Sequence, residues 1–276
     1  MINSKTKILG IFGYPIGHSL SPLMHNSVIK KMGLDYAYLP FEVRPENLES
    51  ALNSIQALGI AGVNVTIPHK EKVIKHLCAI SDEAMKIGAV NTIVNKDGCL
   101  TGYNTDYYGF LRSISERINL KSKNVLMLGC GGVSKAIAFA LFRLGVKKLI
   151  LSDIDSKKAK NFLKSELPVS KIEIIQAKKI SEFIKGADVF INATPVGMKK
   201  NDPSPLDKKL LRENIFVYDV VYNRKTRLLT DAESVGAKYS DGLDMLVYQG
   251  AKSFELWTGI KPLIGLMKKV LREALK

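Results

Sequence analysis

The chain has 276 residues, of which 46% are hydrophobic and 24% charged, and its formal net charge at pH 7 is +15. This length exceeds the usual size of a single hydrophobic core, so two domains are expected, and the apolar fraction excludes a disordered chain. The absence of an apolar run of about 18 residues and of a leader-like start excludes a transmembrane helix and favours a cytoplasmic protein.

The lysine excess has three possible explanations: binding of nucleic acid, binding of an anionic small molecule, or only a lysine-rich proteome. The lysines are scattered in pairs such as Lys30-Lys31 and Lys147-Lys148, without an arginine-rich helix or an aromatic-studded basic strand. Solvated faces are therefore the expected explanation, with a contribution to attracting an anionic small-molecule partner, and neither nucleic acid nor a membrane is expected as a partner. Cys78, Cys99 and Cys130 form no CxxC pair, so no metal site and no disulfide framework is expected.

The first hundred residues alternate predicted strands and helices, punctuated by glycine and proline. The predicted strands are Ile8–Phe12, Tyr36–Val43, Gly62–Ile67, Val90–Val94 and Leu100–Tyr103, the last two joined by a turn at Asp97-Gly98. The predicted helices are Pro22–Met32 and Glu46–Leu58, followed by a helix from Asp106 to about Arg117.

The alternation continues in the middle of the chain with more strongly apolar strands. These are Asn124–Leu128, Leu149–Leu151, Ile172–Ile175, Asp188–Asn192 and Ile215–Val220, with helices at Val133–Leu144, from Ser156, and at Ile180–Lys185. Strands alternating with helices in this way predict a parallel, doubly wound sheet. Two further helices, Met245–Trp257 and Leu263–Leu275, follow it.

A glycine-rich loop, Gly129-Cys130-Gly131-Gly132-Val133-Ser134, joins a predicted strand to a predicted helix. Glycines at this place permit a tight turn and let the backbone approach a pyrophosphate at the positive end of the helix. Gly129 and Gly131 fit the GxGxxG pattern, whereas Ser134 stands at the third glycine. The setting favours dinucleotide binding over a glycine-rich turn in an ordinary βα unit.

The next predicted strand ends in Ser152-Asp153-Ile154-Asp155. An acidic residue here can bind the ribose hydroxyls and repels a 2′-phosphate, so Asp153 favours NAD over NADP. No arginine occurs between Leu144 and Leu211, although Lys157 and Lys158 lie close by. Asp155 is also a candidate N-cap for the helix that begins at Ser156.

Polar residues also gather at segment ends in the first domain. Ser19 and Ser21 precede a helix with Pro22 at its first position, so Ser21 is either an N-cap, a carboxylate ligand, or both. Lys70 follows a strand at a predicted helix start, where a cation is electrostatically unfavourable, which indicates either a solvated side chain or a site. Asn91, Thr105 and Asp106 add amide, hydroxyl and carboxylate groups suited to a polyhydroxylated ligand.

With Asn192-Ala-Thr194-Pro-Val-Gly197, Tyr218-Asp-Val-Val-Tyr222 and Gly242-Leu-Asp-Met-Leu-Val-Tyr-Gln249, these motifs cover essentially the whole length. The sequence resembles the shikimate dehydrogenase family. The resemblance implies an α/β fold of two domains: an N-terminal substrate-binding domain at 1–106, with helices of 243–276 packing back on it, and a Rossmann-type dinucleotide-binding domain at 107–242. It also implies the reversible, NAD(P)H-dependent reduction of 3-dehydroshikimate to shikimate in chorismate and aromatic amino-acid biosynthesis.

The resemblance also implies roles for individual residues. The catalytic pair would be Lys70 and Asp106. Substrate would be bound by Ser19, Ser21, Thr66, Asn91, Thr105, Asp106, Tyr222 and Gln249. The cofactor would be bound by Gly129, Cys130, Gly131, Gly132, Val133, Ser152, Asp153, Ile154, Thr194, Val220 and Gly242.

Two departures from the family pattern leave substrate and cofactor partly open. Members that use NADP carry a basic Asn-Arg-Thr-like stretch where this chain has Ser152-Asp153-Ile154, which is more similar to the NAD-dependent quinate/shikimate branch. Ser21 instead resembles members that prefer shikimate, because quinate users often have threonine there. Arg224 is a further candidate contact for the cofactor. Both NAD and NADP therefore remain possible cofactors, and quinate is the alternative substrate. The expected assembly is a monomer or a homodimer.

The chemistry expected of the pair follows from carbonyl reduction. Hydride transfer builds negative charge on the carbonyl oxygen, which an ammonium stabilises and protonates. Asp106 would orient Lys70, and which of the two is the formal base stays open. A non-catalytic sensor would lack one of these residues, and both are present. No histidine is expected to be catalytic: His18 and His25 would brace the serine loop, and His69 would face solvent or the rim of a cleft.

Overall fold

The structure is a computed structural model and describes residues 2–162 and 167–276, without the side chain of residue 161. Two compact units make up the fold. Unit 1 comprises Met1–Gly109 and Val247–Lys276, and unit 2 comprises Phe110–Leu246.

Unit 1 contains a six-stranded sheet in the order β2-β1-β3-β5-β6-β4. Its strands are β1 Lys7–Gly13, β2 Tyr36–Glu42, β3 Gly62–Val65, β4 Ala79–Ile80, β5 Thr92–Lys96 and β6 Cys99–Tyr103. Strand β1 pairs in parallel with β2 and β3, whereas β5 is antiparallel to both β3 and β6. The carboxyl ends of β3 and β6 therefore lead into the segments that carry Lys70 and Asp106.

Six of the described helices lie wholly or partly in unit 1. They are α1 Ser21–Lys31, α2 Leu48–Ala57, α3 Asp82–Ile87, α4 Asp106–Ser115 and, after unit 2, α9 Leu243–Thr258, with α10 Ile264–Ala274 following. Helices α4 and α9 cross the boundary between the units. Trp257 on α9 donates its indole N–H to the Ile93 carbonyl of β5 at 2.9 Å, which ties this helix to the sheet of unit 1.

Unit 2 contains a second six-stranded sheet, entirely parallel, in the order β12-β11-β10-β7-β8-β9. Its strands are β7 Asn124–Leu128, β8 Lys148–Ser152, β9 Ile172–Ile175, β10 Val189–Asn192, β11 Phe216–Asp219 and β12 Lys238–Ser240. Its helices are α5 Gly132–Arg143, α6 Ser156–Phe162, α7 Ile180–Phe183 and α8 Arg227–Ser234. Strands β10 and β11 are buried at every residue, as expected of parallel strands covered on both faces.

Short 3-10 segments complete the described secondary structure, at Pro45–Asn47, Lys72–His76, Val169–Lys171, Ala177–Lys179, Ile184–Gly186 and Lys208–Leu210. The segment Pro45–Asn47 takes the place of the start of the predicted helix Glu46–Leu58. The segment Ile184–Gly186 replaces the last turn of the predicted helix Ile180–Lys185. Lys70 therefore lies in a turn before a 3-10 segment, and the predicted helix start at that position is wrong. Within residues 2–162 and 167–276, no helix is long and apolar enough to cross a membrane.

Candidate active site

Lys70 and Asp106 meet in unit 1. Lys70 Nζ lies 2.6 Å from Asp106 Oδ2, and the two side chains are only 15% and 7% exposed. Asp106 is the first residue of α4, where a negative charge interacts favourably with the helix dipole. The Asn104 side chain accepts the Asp106 amide at 3.0 Å, which fixes the turn into that helix. The pair combines a proton donor with a rigidly placed carboxylate.

The buried amide of Asn91 holds the other oxygen of this carboxylate. Asn91 Nδ2 lies 2.9 Å from Asp106 Oδ1 and 2.9 Å from Thr105 Oγ1. It also lies 3.2 Å from Gln249 Oε1 on α9. Asn91 Oδ1 accepts the Thr105 amide at 2.6 Å. Because both ends of the amide are bonded, neither Asn91 nor Asp106 can rotate without breaking several hydrogen bonds.

Four further polar side chains lie buried beside this cluster: Tyr38, Asn64, Thr92 and Ser253. Asn64 Oδ1 accepts the Tyr38 hydroxyl at 2.7 Å, and Asn64 Nδ2 donates to Ser253 Oγ at 3.1 Å. Ser253 Oγ lies 2.8 Å from Thr92 Oγ1 and 3.0 Å from Thr105 Oγ1. Burial raises the pKa of Tyr38 well above its ordinary value, so its phenol stays protonated and donates. A continuous hydrogen-bonded chain thus runs from Tyr38 to Asp106.

The serine segment adjoins the other end of that chain. Ser19 Oγ accepts the Ser21 amide at 3.3 Å, and the Ser21 side chain hydrogen-bonds Tyr38. The predicted N-cap role of Ser21 is wrong: α1 starts at Ser21 itself, Leu20 occupies the cap position, and no side chain caps the helix. The Ser21 hydroxyl is turned toward Tyr38 instead of toward the amides of the first turn.

Thr66 and His69 shape the segment between β3 and Lys70. The Thr66 amide donates to the Phe12 carbonyl, and its own carbonyl accepts the His69 amide, each at 2.9 Å. His69 is fully buried, with Nε2 at 2.7 Å from the Val43 carbonyl oxygen. The expectation that His69 faces solvent is therefore wrong, because its ring anchors the segment internally.

The glycine loop of unit 2 is open at the start of α5. Gly129 has φ +99°, and a Cβ there would lie 2.8 Å from the Ala193 carbonyl oxygen, so only glycine fits. Gly131 has an ordinary φ of −84°, and a Cβ there would meet no protein atom within 4 Å. No side chain caps α5, and the buried Ser134 hydroxyl has no hydrogen-bond partner within residues 2–162 and 167–276. A helix start without a side-chain cap, next to open space at Gly131, fits a pyrophosphate.

Asp153 and Asp155 follow β8 beside this loop. Asp153 Oδ2 accepts the Cys130 amide at 2.7 Å, and Asp153 Oδ1 accepts the Asp155 amide at 2.8 Å. Asp155 Oδ1 accepts the Lys157 amide at 2.9 Å, which confirms its predicted N-cap role. Burial raises the pKa of the Cys130 thiol to about 12, so it stays neutral next to the carboxylate. Ile154 between the two aspartates is 99% exposed.

A buried carboxylate, Asp219, organises the ends of β10 and β11. It accepts the Asn192 side-chain amide at 2.9 Å and the Thr226 hydroxyl at 2.7 Å. Asn192 Oδ1 in turn accepts the Thr194 hydroxyl at 2.6 Å. Burial raises the pKa of Asp219 to about 6, although these hydrogen bonds oppose the shift. Thr194 is thus held in place from within the sheet.

Three of the remaining predicted residues of unit 2, Val220, Tyr222 and Gly242, lie after β11, and Ser152 lies at the end of β8. A Cβ at Gly242 would overlap the Val220 carbonyl oxygen, so the two backbones are in direct contact. Burial raises the pKa of Tyr222, which keeps its phenol a hydrogen-bond donor. Ser152 is buried at the end of β8, and its carbonyl accepts the Gly129 amide at 2.8 Å. Tyr222 is therefore the one predicted substrate ligand contributed by unit 2.

Three family models match consecutive parts of the chain. Residues 11–93 match the shikimate dehydrogenase substrate binding domain, residues 112–200 match shikimate / quinate 5-dehydrogenase, and residues 242–272 match the shikimate 5′-dehydrogenase C-terminal domain. The chain belongs to the shikimate dehydrogenase family. A shikimate dehydrogenase (NADP(+)) of Methanobrevibacter smithii is 43% identical over 100% of this chain and 99% of its own. The Pyrococcus abyssi enzyme of the same name is 44% identical over 98% of each.

Solved structures of the shikimate dehydrogenase family share the fold. The Aquifex aeolicus shikimate dehydrogenase has a TM-score of 0.92 at 38% identity, over 99% of this chain and 100% of its own. A Listeria monocytogenes shikimate 5-dehydrogenase in complex with shikimate and NAD gives 0.87 at 35%, covering 98% of each chain. A Corynebacterium glutamicum quinate dehydrogenase in complex with NAD gives 0.88 at 32%, over 97% and 99%. The resemblance and the α/β fold expected from the sequence are confirmed.

Sequence reasoning missed the four buried partners of this family's motif residues. Asn64 and Thr92 are polar residues inside apolar strands, flanked by Val63, Val65 and Ile93. Ser253 lies one helical turn after Gln249 on α9. A buried polar residue needs a partner, so these positions carried a signal, but the sequence did not identify the partners.

Proposed function

We propose that this protein is a shikimate dehydrogenase, which reduces 3-dehydroshikimate to shikimate with a nicotinamide dinucleotide and also catalyses the reverse reaction. The observation that carries the proposal is the 2.6 Å contact between Lys70 and Asp106, with Asn91 bonded to the second carboxylate oxygen. Membership of the family and full-length relatives named shikimate dehydrogenase support it.

In the proposed mechanism, Lys70 and Asp106 handle the proton. Lys70 donates a proton to the carbonyl oxygen as the carbonyl carbon is reduced, and a neutral Lys70 accepts the alcohol proton in the reverse direction. Asp106 accepts one Lys70 hydrogen, so the remaining Lys70 hydrogens are available to the substrate. The 15% exposure of Lys70 supports this role, because the ammonium is shielded from bulk water yet reachable.

Substrate hydroxyl groups would be bound by the side chains around this pair. Thr66, Asn91, Thr105 and Gln249 offer hydroxyl and amide groups in unit 1. The substrate carboxylate would be bound by the hydroxyl groups of Ser19 and Ser21, with Tyr222 as a third donor. Neutral donors are suited to this task, because hydrogen bonds to an ionised acceptor are stronger than neutral ones.

The dinucleotide would be bound by unit 2. The amides at Gly131–Val133 would bind the pyrophosphate at the start of α5, and Asp153 would face the adenosine ribose. When bound, the nicotinamide ring supplies or accepts the hydride. Thr194, Val220 and Gly242 would line the groove beyond the pyrophosphate, on a backbone held by Asp219 and Asn192.

We infer a preference for NAD. The Asp153 carboxylate is fixed by two backbone amides, and a fixed negative charge repels a ribose 2′-phosphate. Lys157 and Lys158 lie nearby but on the exposed face of α6. The relatives named for NADP(+) and two family structures in complex with NADP favour the opposite preference, whereas two other family structures are complexes with NAD.

The function is tested by four initial rates: shikimate and quinate, each oxidised with NAD and with NADP, followed by the absorbance of the reduced cofactor. We expect the highest kcat/KM with shikimate and NAD. Quinate is the second candidate, because the family includes an NAD-bound quinate dehydrogenase. If neither cofactor supports oxidation of shikimate, the proposed function is wrong.

The cofactor preference is tested with Asp153→Asn, which removes the charge and keeps one of the two oxygens that accept backbone amides. The ratio of kcat/KM with NAD to that with NADP is expected to fall about 10–100-fold, the scale of one like-charge contact. Asp155→Asn removes a charge two residues away and serves as the control. An equal change in both variants would show that net charge, and not Asp153 itself, sets the preference.

Gly131→Ala tests where the pyrophosphate binds. The protein has space for this methyl group, so thermal stability should not change, whereas a bound pyrophosphate would collide with it. We expect cofactor affinity, measured by fluorescence titration of NADH, to weaken about 10–100-fold. Gly186→Ala is the matched control, because its added Cβ also meets no atom within 4 Å. Unchanged NADH affinity in Gly131→Ala would place the pyrophosphate elsewhere.

A further inference from the structure

Ser253 carries a buried hydroxyl with four hydrogen-bond partners in unit 1. It has no exposed surface and lies on α9, one turn after Gln249. Its Oγ is 2.8 Å from Thr92 Oγ1, 3.0 Å from Thr105 Oγ1 and 3.0 Å from the Gln249 carbonyl oxygen. The side chain of Asn64 donates to it at 3.1 Å. One hydroxyl therefore contacts four groups from β3, β5, the segment before α4, and α9.

The hydrogen count restricts how these bonds are arranged. A serine hydroxyl has one hydrogen and two lone pairs, and the Asn64 amide can only donate to it. If Ser253 donates to the Gln249 carbonyl, its remaining lone pair accepts from Thr105 or Thr92. Ser253 thus determines where the hydrogen of one of these two threonine hydroxyls points.

The direction of the Thr105 hydroxyl hydrogen directly affects Asn91 and Gln249, two side chains assigned to the substrate. Thr105 Oγ1 is also 3.2 Å from Asn91 Oδ1 and 3.5 Å from Gln249 Oε1. Without the Ser253 oxygen, the Thr105 hydrogen would turn toward one of these two acceptors. It would then compete with a substrate hydroxyl for that acceptor, which would change how Asn91 or Gln249 is presented to the substrate.

We propose that Ser253 is a positioning residue for substrate, which orients the Asn91 and Gln249 amides through Thr105 and Thr92 without touching the substrate itself. Its contacts connect the Tyr38–Asn64 pair, beside Ser21, with the amides beside Asp106. The side chains assigned to the substrate carboxylate and to the ring hydroxyls would then be held by one buried network. The inference rests on the proposed function, because it assigns Asn91 and Gln249 to the substrate.

The test is Ser253→Ala, assayed with shikimate and the preferred cofactor. We expect KM for shikimate to rise about 3–10-fold, the equivalent of about one hydrogen bond, with KM for the cofactor unchanged. Ser113→Ala is the matched control: Ser113 is equally buried, but its hydroxyl bonds Tyr218 at 2.7 Å in unit 2. That variant should lose thermal stability and keep both KM values.

A second variant tests whether the effect passes through the network. Thr92→Val keeps the side-chain shape and removes the hydroxyl that contacts Ser253. We expect it to raise KM for shikimate by a similar factor. In the double variant Ser253→Ala/Thr92→Val, the change in KM, expressed as a free energy, should be smaller than the sum of the two single changes, because the residues act together. Ser253→Cys, with a weak donor of similar size, should lie between wild type and Ser253→Ala, and it replaces that variant if Ser253→Ala does not fold.

The outcomes separate the two levels of inference. A wild-type protein that does not oxidise shikimate overturns the proposed function. A wild-type protein that does, together with a Ser253→Ala or Ser253→Cys variant that loses stability at unchanged KM, leaves the enzyme assignment intact and reduces Ser253 to a packing residue. Additive effects of Ser253→Ala and Thr92→Val would likewise overturn the positioning role.

Discussion

Lys70→Met is expected to lower turnover about 10²–10⁴-fold, the usual contribution of a positioned acid-base group. Methionine keeps the apolar stem of the lysine and removes the ammonium, so it deletes the proton donor at small cost in packing. KM for shikimate should change far less, because the hydroxyl ligands Asn91 and Gln249 remain. The measurement is kcat and KM for shikimate oxidation, with cofactor affinity measured separately.

Loss of the ammonium also leaves a carboxylate in a buried position. Asp106 is 7% exposed at its side chain, and removing one partner of a buried ion pair costs on the order of 3–5 kcal/mol. Reduced turnover could therefore reflect a weakened fold instead of lost chemistry. The double variant Lys70→Met/Asp106→Asn separates these causes, because it removes both charges and retains the acceptor for Asn91. We expect it to recover most of the lost stability and none of the turnover.

A surface ion pair provides the comparison. Lys123 Nζ lies 3.1 Å from Asp188 Oδ1, with side-chain exposures of 40% and 36%. Lys123→Met removes the same functional group from a solvated pair and should change neither turnover nor stability appreciably. Wild-type turnover in Lys70→Met, or recovered turnover in the double variant, would remove Lys70 and Asp106 from the mechanism.

Strand and helix periodicity was sufficient to predict most of the fold. The buried strands of unit 2 are continuous apolar runs, and the glycine after β7 marks the turn into α5. The elements that escaped prediction are short or polar: β4 has two residues, β12 three, α3 six and α8 eight. Tertiary pairing creates such elements: β4, for example, exists through its parallel pairing with β6.

The site was predictable where chemistry concentrates at segment ends and unpredictable where it depends on packing. Lys70, Asn91 and Asp106 each stand beside a strand or helix terminus, and the structure joins them by hydrogen bonds. Ser253 is 148 residues from its partner Thr105. No periodic pattern in a single sequence reveals a pairing between residues so far apart. The prediction that His69 faces solvent was wrong for the same reason, because its carbonyl partner, Val43, lies 26 residues away.

Acid is expected to destabilise unit 1 through His25. The ring is fully buried, stacked on Tyr38 with centroids 4.4 Å apart, and parallel to Phe254 at 6.1 Å. Neither ring nitrogen has a hydrogen-bond partner within residues 2–162 and 167–276, so the ring is held by aromatic contacts. Burial lowers the pKa of His25 from 6.5 to about 3, because no neighbouring acceptor compensates a charged ring.

This depressed pKa determines the direction of the pH effect. As pH falls through 6.5, the unfolded chain binds the proton while the folded chain does not. Stability from this residue is therefore complete above about pH 6.5 and is lost progressively toward pH 3. At about 1.4 kcal/mol per pH unit, the full loss is about 5 kcal/mol, of which about 3 kcal/mol is gone by pH 4.

His25→Phe should remove this acid sensitivity, because phenylalanine keeps the aromatic stack and binds no proton. The single tryptophan of the chain, Trp257, lies 5.5 Å from the His25 ring, so its fluorescence reports the unfolding of unit 1. The free energy of unfolding is measured with urea at pH 7, 5.5 and 4. Between pH 7 and pH 4, it should fall by about 3 kcal/mol more in wild type than in the variant. His18→Phe, at a solvent-exposed position, should follow wild type. Equal losses in wild type and His25→Phe would mean that another group governs the acid response, since the buried imidazole would then take up its proton without unfolding the aromatic cluster around it.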